Sequence, residues 1–304
     1  MIIRDKSNSF ALLFVWSGTI LPTVMPALII VVLISTLVVY LSTHHDFIGP
    51  AVPTIGFTVF GIILSIFLSF RNTACYDRWW EGRKLWGSLI ATSRHLSRES
   101  YILPSSQRSI LIYRSMLFAC LLRNRLRKQN QSIDYYQNKV GLSSDIFQQL
   151  STHINAPQLI LEAIQKDFIQ LLKSQEISDI IYQGLNSHIT QLAQIQAGCD
   201  RILTTPLPFS YSVLLHRTVY CFCFILPFSL EASLGIWTPI LVGLIAYLFL
   251  GLDALSAELE EPFGLQNNDL ALDSITRLIE QESLISLGVE PLPTLTNNNH
   301  HHLT

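Results

Sequence analysis

Charge is distributed along this chain in blocks, and the blocks that lack it constrain the fold more than any other feature. Val24 to Leu41 and Ala51 to Phe70 contain no Asp, Glu, Lys or Arg, and Glu231 alone interrupts the stretch from Thr218 to Leu252. A bilayer's hydrocarbon core of about 30 Å takes about 20 apolar residues per helix, so these tracts predict about four membrane spans. Bulk composition hides this, because 49% hydrophobic residues is ordinary and only the 14% charged fraction is low. The uncharged run from Phe10 to Leu41 is too long for a cleavable signal, so the first span is expected to stay in the protein.

Positive charge then orients the spans. None of the 20 Lys and Arg lies in the short connections Ser42 to Pro50 and Glu231 to Thr238. They fall at Arg4 and Lys6, from Arg71 through Arg217, and at Arg277. By the positive-inside rule, both termini and the long middle segment are expected on the cytoplasmic side of a cell's inner membrane. The expected organisation is residues 1–71 as N-terminal segment and first two spans, 72–208 as a cytosolic helical domain, 209–256 as the last two spans, and 257–304 as a cytosolic tail.

The middle segment carries no alternating strand pattern, and breaks are expected at Leu103-Pro104-Ser105 and Asn155-Ala156-Pro157. Leu159, Ala163, Ile164, Phe168 and Leu171 recur at the spacing of one buried helical face. His216 and Arg217 interrupt the third span, so its embedded part is expected nearer Thr218 to Leu230, with Pro227 kinking or ending it. Pro262 and Gly264 predict a turn, and an amphipathic helix is expected over about Leu270 to Leu287. The Asn- and His-rich end, with His300, His301 and His302, is expected to add no site.

Several function classes fall away. The five cysteines, Cys75, Cys120, Cys199, Cys221 and Cys223, are odd in number and lack paired zinc-ligand spacing, so neither a disulfide framework nor a metal site is expected. A net charge of -2 offers no footprint for nucleic acid. No Gly-rich phosphate loop, His-Glu-x-x-His pair or nucleophile elbow occurs, so neither an enzyme nor a cofactor is expected.

The second span changes character within a few residues, in "GIILSIFLSFRNTACYDRWWEGRKLWG" from Gly61 to Gly87. Ile62, Ile66 and Phe70 stack along one helical stripe, and Gly61, Ser65 and Ser69 repeat one position earlier. Small residues every fourth position let another helix approach closely. If copies of this helix surround an axis, the bulky stripe forms an apolar ring; spacing alone does not choose this over contact with lipid. Such a ring passes ions only when it is wide enough to keep them hydrated, and it can gate by dewetting. Beyond it, Trp79, Trp80 and Trp86 are expected at the membrane interface, and Glu81 is expected to pair with Arg78 or Lys84 along its own helix.

These residues, with the runs Thr204 to Phe222 and Ala257 to Asp273 in the same order, resemble the prokaryotic branch of the bestrophins. The resemblance extends from Ile2 to Pro293. It implies an all-α membrane protein with four transmembrane helices per subunit and a large cytosolic helical region, assembled as a homopentamer around a central pore. The family's neck positions fall on Ile62, Ile66 and Phe70, and its cytosolic aperture falls on Ile180, near Glu176 and Asp179. The partners implied are permeating monovalent ions, the lipid bilayer and further copies of the chain.

Two departures from animal members matter. Their calcium clasp is an acidic cluster after the Pro-Phe-Gly turn, whereas Leu265, Gln266, Asn267, Asn268 and Asp269 keep one carboxylate, so no tight calcium site is expected. The position matching Ile66 is Phe in anion-selective animal members, and aromatic ring edges carry the partial positive charge that an aliphatic chain lacks. With the resemblance to prokaryotic members, this leads us to expect monovalent cations, the alternative being an anion-selective channel of the same fold. A secondary transporter would show inverted repeats and broken, charged helices, which the two unlike hairpins lack. A membrane scaffold is set aside on the family resemblance alone.

Overall fold

The computed structural model describes residues 10, 15–16, 18–45 and 54–293. Arg4, Lys6, the second half of the Ser42 to Pro50 connection and the tail histidines lie outside the described residues. Among the described residues, nine α-helices have both ends placed, in order: α1 Leu21–His45, α2 Thr54–Glu99, α3 Ser105–Arg127, α4 Ser144–Gln149, α5 Ala156–Lys173, α6 Asp179–Thr204, α7 Phe209–Leu234, α8 Thr238–Glu260 and α9 Leu272–Ser286. There is no strand among the described residues. The chain divides into two compact units, one built up to Trp79 and from Pro206–Pro262, the other from Trp80–Thr205 and from Phe263 onward.

Among the described residues, three stretches are long and apolar enough to cross a membrane: Leu21–His44, Ile55–Ile102 and Phe209–Glu260. The last contains both α7 and α8, separated by a single 3-10 turn at Gly235–Trp237. His216 meets Asp253 and Phe222 meets Phe249, so these two helices run in opposite directions. Pro227 lies inside α7, so of the two outcomes expected there it does not end the helix, which runs from Phe209. Proline is tolerated in membrane helices because neighbouring groups re-satisfy the freed carbonyl.

The core of the first unit gathers Val24, Val31, Leu64, Leu68, Val219, Phe222, Val242, Ala246 and Leu250. Phe222 stacks on Phe57 at 4.6 Å and tilts against Phe249 at 4.9 Å. Close approach depends on small residues: a Cβ added at Gly61 would lie 3.1 Å from the Phe222 ring, and one at Gly243 would lie 3.2 Å from Val32. Of the small-residue stripe, only Gly61 is used this way. Ser65 and Ser69 are exposed, and the packed side of α2 is instead Leu64, Leu68, Arg71 and Cys75.

In the second unit α3 is the central helix. Every residue from Leu111 to Leu122 is buried, the signature of a helix enclosed on all sides. The charge inside that run, Arg114, donates to Asp167 at 2.6 Å and to the Val140 carbonyl at 2.8 Å. The breaks at Pro104 and Asn155 fall as predicted, and Asn155 caps α5 by accepting from the Gln158 amide. The buried face of α5 is Ile160, Leu161, Ile164, Phe168 and Leu171; Leu159 and Ala163 are only half-buried at its edge.

Two interface expectations are corrected here. Trp86 is fully buried inside the protein and does not offer its ring to a surface. Glu81 pairs with Arg201 on α6, while Lys84 lies 5.9 Å over the Trp80 ring. The partner of Glu81 is distant in sequence, which local spacing on one helix cannot reveal.

Candidate functional site

Helix α2 runs 46 residues, about 69 Å, with no proline to break its hydrogen-bond ladder. Ile62, Ile66 and Phe70 lie on its first half with 55%, 48% and 64% of their surface exposed. Leu64 and Leu68, buried on the opposite side, are two residues and so about 200° around the helix from that stripe. Sequence reasoning therefore places three bulky apolar side chains together, and the structure turns them away from the unit's own core. Exposed apolar side chains in a row need a partner: lipid, another copy of the chain, or a ring of copies around an axis.

A polar seam that sequence reasoning missed runs along the other side of α2. The Arg71 guanidinium, buried one residue after Phe70, pairs with the Asp253 carboxylate on α8, with Glu260 3.9 Å away. The second Asp253 oxygen lies 2.6 Å from His216 Nδ1 on α7. Further on, Ser256 donates to the Asn72 side chain at 3.4 Å and Arg78 to the Glu260 carbonyl at 3.2 Å. The signal was available: Asp253 ends the α8 apolar run as Arg71 ends that of α2, and charges at such places need each other.

Ile180 belongs to the other unit. It is the second residue of α6, 82% exposed, in a turn whose cap Ser178 accepts from the Ile181 amide. Asp179 and Glu176 beside it are exposed, and Glu176 accepts from the Ser174 hydroxyl at 2.8 Å. The lone carboxylate of the former clasp region, Asp269, is buried and accepts from the Gln266 amide at 2.7 Å. It closes a turn there. Among the described residues no three His, Cys, Asp or Glu come close enough together to hold a metal ion.

The family model described as Bacterial/Fungal Bestrophin protein matches residues 1–284. The chain belongs to the bestrophin family. Among curated relatives, the voltage-dependent anion channel-forming protein YneE of Salmonella typhi is 37% identical over 289 residues, covering 93% of each chain. The voltage-dependent anion channel-forming protein mll4386 of Mesorhizobium japonicum is 36% identical, over 96% of this bestrophin and 94% of its own length. A solved bacterial bestrophin homologue from Klebsiella pneumoniae has a TM-score of 0.79 at 32% identity, covering 88% of this chain and 100% of that one. Family and fold are those of ion channels and not of enzymes.

Proposed function

We propose that this bestrophin conducts monovalent ions across the cell's inner membrane as a homopentamer, with four spans per chain and both termini cytoplasmic. Ile62, Ile66 and Phe70 form the neck, and Ile180 forms the cytosolic aperture. The observation that carries this reading is the exposed apolar stripe on the side of α2 opposite its packed face. Four spans are too few to enclose a pore within one chain, so a symmetric ring is the natural assembly.

The permeant ion follows the relatives' names: proteins 36–37% identical over nearly the whole chain are called anion channel-forming, so anions replace cations as the first reading. Selective passage of cations remains as a second reading, favoured by the aliphatic Ile66, which offers anions no ring edge, and by the exposed Asp179 and Glu176 beside Ile180. The reversal potential of the purified chain in a planar bilayer under a KCl gradient tests both. Reversal near the chloride equilibrium potential is expected; reversal near that of potassium supports the second reading, and a silent, well-assembled protein overturns the channel reading.

A further inference from the structure

Arg71 follows Phe70 directly in α2, yet the two side chains part: Phe70 is exposed and Arg71 is buried. Consecutive helical residues are about 100° apart, so the guanidinium, on the packed side, leaves the helix little more than a quarter turn from Phe70, the end of the stripe nearest to it. Its carboxylate partner is Asp253, and Glu260 stands further off at 3.9 Å. A buried guanidinium deprived of its counter-charge is strongly disfavoured, and its long aliphatic stem lets the charged end swing out towards water.

Asp253 is shared. Its second oxygen is 2.6 Å from Nδ1 of His216, whose side chain is more than half exposed. An exposed, titratable ring thus holds one end of a buried carboxylate whose other end holds the charge beside Phe70. We propose that Asp253 is a positioning residue for conduction: it keeps the Arg71 charge away from the stripe, and His216 sets how firmly. This rests on the reading of Ile62, Ile66 and Phe70 as the neck.

The two protonation states of His216 act differently. Neutral His216 donates Nδ1–H and leaves most of the Asp253 charge to Arg71. The imidazolium claims more of that charge, so Arg71 is less compensated and the pathway becomes more attractive to anions. The other titratable or charged groups around the pair are Cys75 and Arg78 on α2, Tyr220 and Cys223 on α7 with Arg217 next to His216, and Glu260 on α8. Leu21 to Val39 of α1 contains no titratable residue.

Reversal potentials of the full-length chain in planar bilayers under a KCl gradient test this. Asp253→Asn is expected to raise the chloride-to-potassium permeability ratio at least about tenfold, the effect of one freed unit charge acting at about 10 Å through an effective dielectric of about 20. The double variant Arg71→Gln with Asp253→Asn is expected to lose that increase, which a merely structural role of Asp253 would not produce. The parent's ratio is expected to rise as pH falls, and His216→Gln, which cannot become a cation, is expected to flatten the profile. An assembled, conducting Asp253→Asn with the parent's reversal potential overturns the proposal, as does a His216→Gln profile identical to the parent's. If Asp253→Asn does not assemble, the His216→Gln profile decides. A parent that passes no current overturns the channel reading as well.

Discussion

Cys199 shows how burial at one residue becomes a property of the fold. It lies fully buried on α6, where desolvation first, and then the charges of Asp200 and Glu81, push its thiol from 9.0 up to about 12. A group whose folded pKa is raised contributes stability that is complete below the unfolded value and is lost as pH rises through the folded one. The unfolding temperature is therefore expected to fall between about pH 9 and about pH 12, and Cys199→Ala is expected to make that fall shallower. Thermal unfolding at stepped pH checks it, and parallel curves for parent and variant would count against it. At this scale the sequence was least legible. Trp86 and Glu81 sit in a run of Arg, Trp and Glu that looks interfacial, but Trp86 is fully buried and the partner of Glu81, Arg201, lies over 100 residues away. Arg71 and Asp253, 182 positions apart, could be matched only by asking which charges end the apolar tracts.

At the scale of elements, small residues set how closely helices approach. A Cβ at Gly198 of α6 would lie 2.8 Å from a Leu85 methyl on α2. Gly198→Leu is expected to cost about 1–3 kcal/mol by overpacking, read as a lower unfolding midpoint, while Gly198→Ala asks only that the end of Leu85 turn aside. On the stripe, Ile66→Ala and Phe70→Ala are expected to widen the neck and raise single-channel current; unchanged current in both would remove these residues from the pathway. The elements themselves were legible: the stops at Pro104 and Asn155 and the amphipathic helix seen as Leu272–Ser286 lie within two residues of their expected places. Missed was which side of α2 packs. Almost every position from Gly61 to Phe70 is apolar or small, so periodicity draws several stripes equally well, and only the neighbours Phe222 and Asp253 choose among them.

For the whole molecule, the membrane class was legible because lipid tolerates no unpaired charge, and the empty blocks stand out in any reading. Copy number was not, since nothing in one chain's periodicity counts its neighbours; five comes from the resemblance. Light scattering on the purified chain, corrected for detergent, is expected to give five copies of 34.4 kDa, and a monomer would remove the ring on which the neck depends. The burial of Trp86 has a practical consequence here. Among the five tryptophans, Trp16, Trp80 and Trp237 are exposed and Trp79 is half-buried, so Trp86 alone is fully shielded by its own chain. A variant keeping only that indole carries its own optical gauge of whether the packing around this part of α2 is closed, one that can be followed while current is recorded.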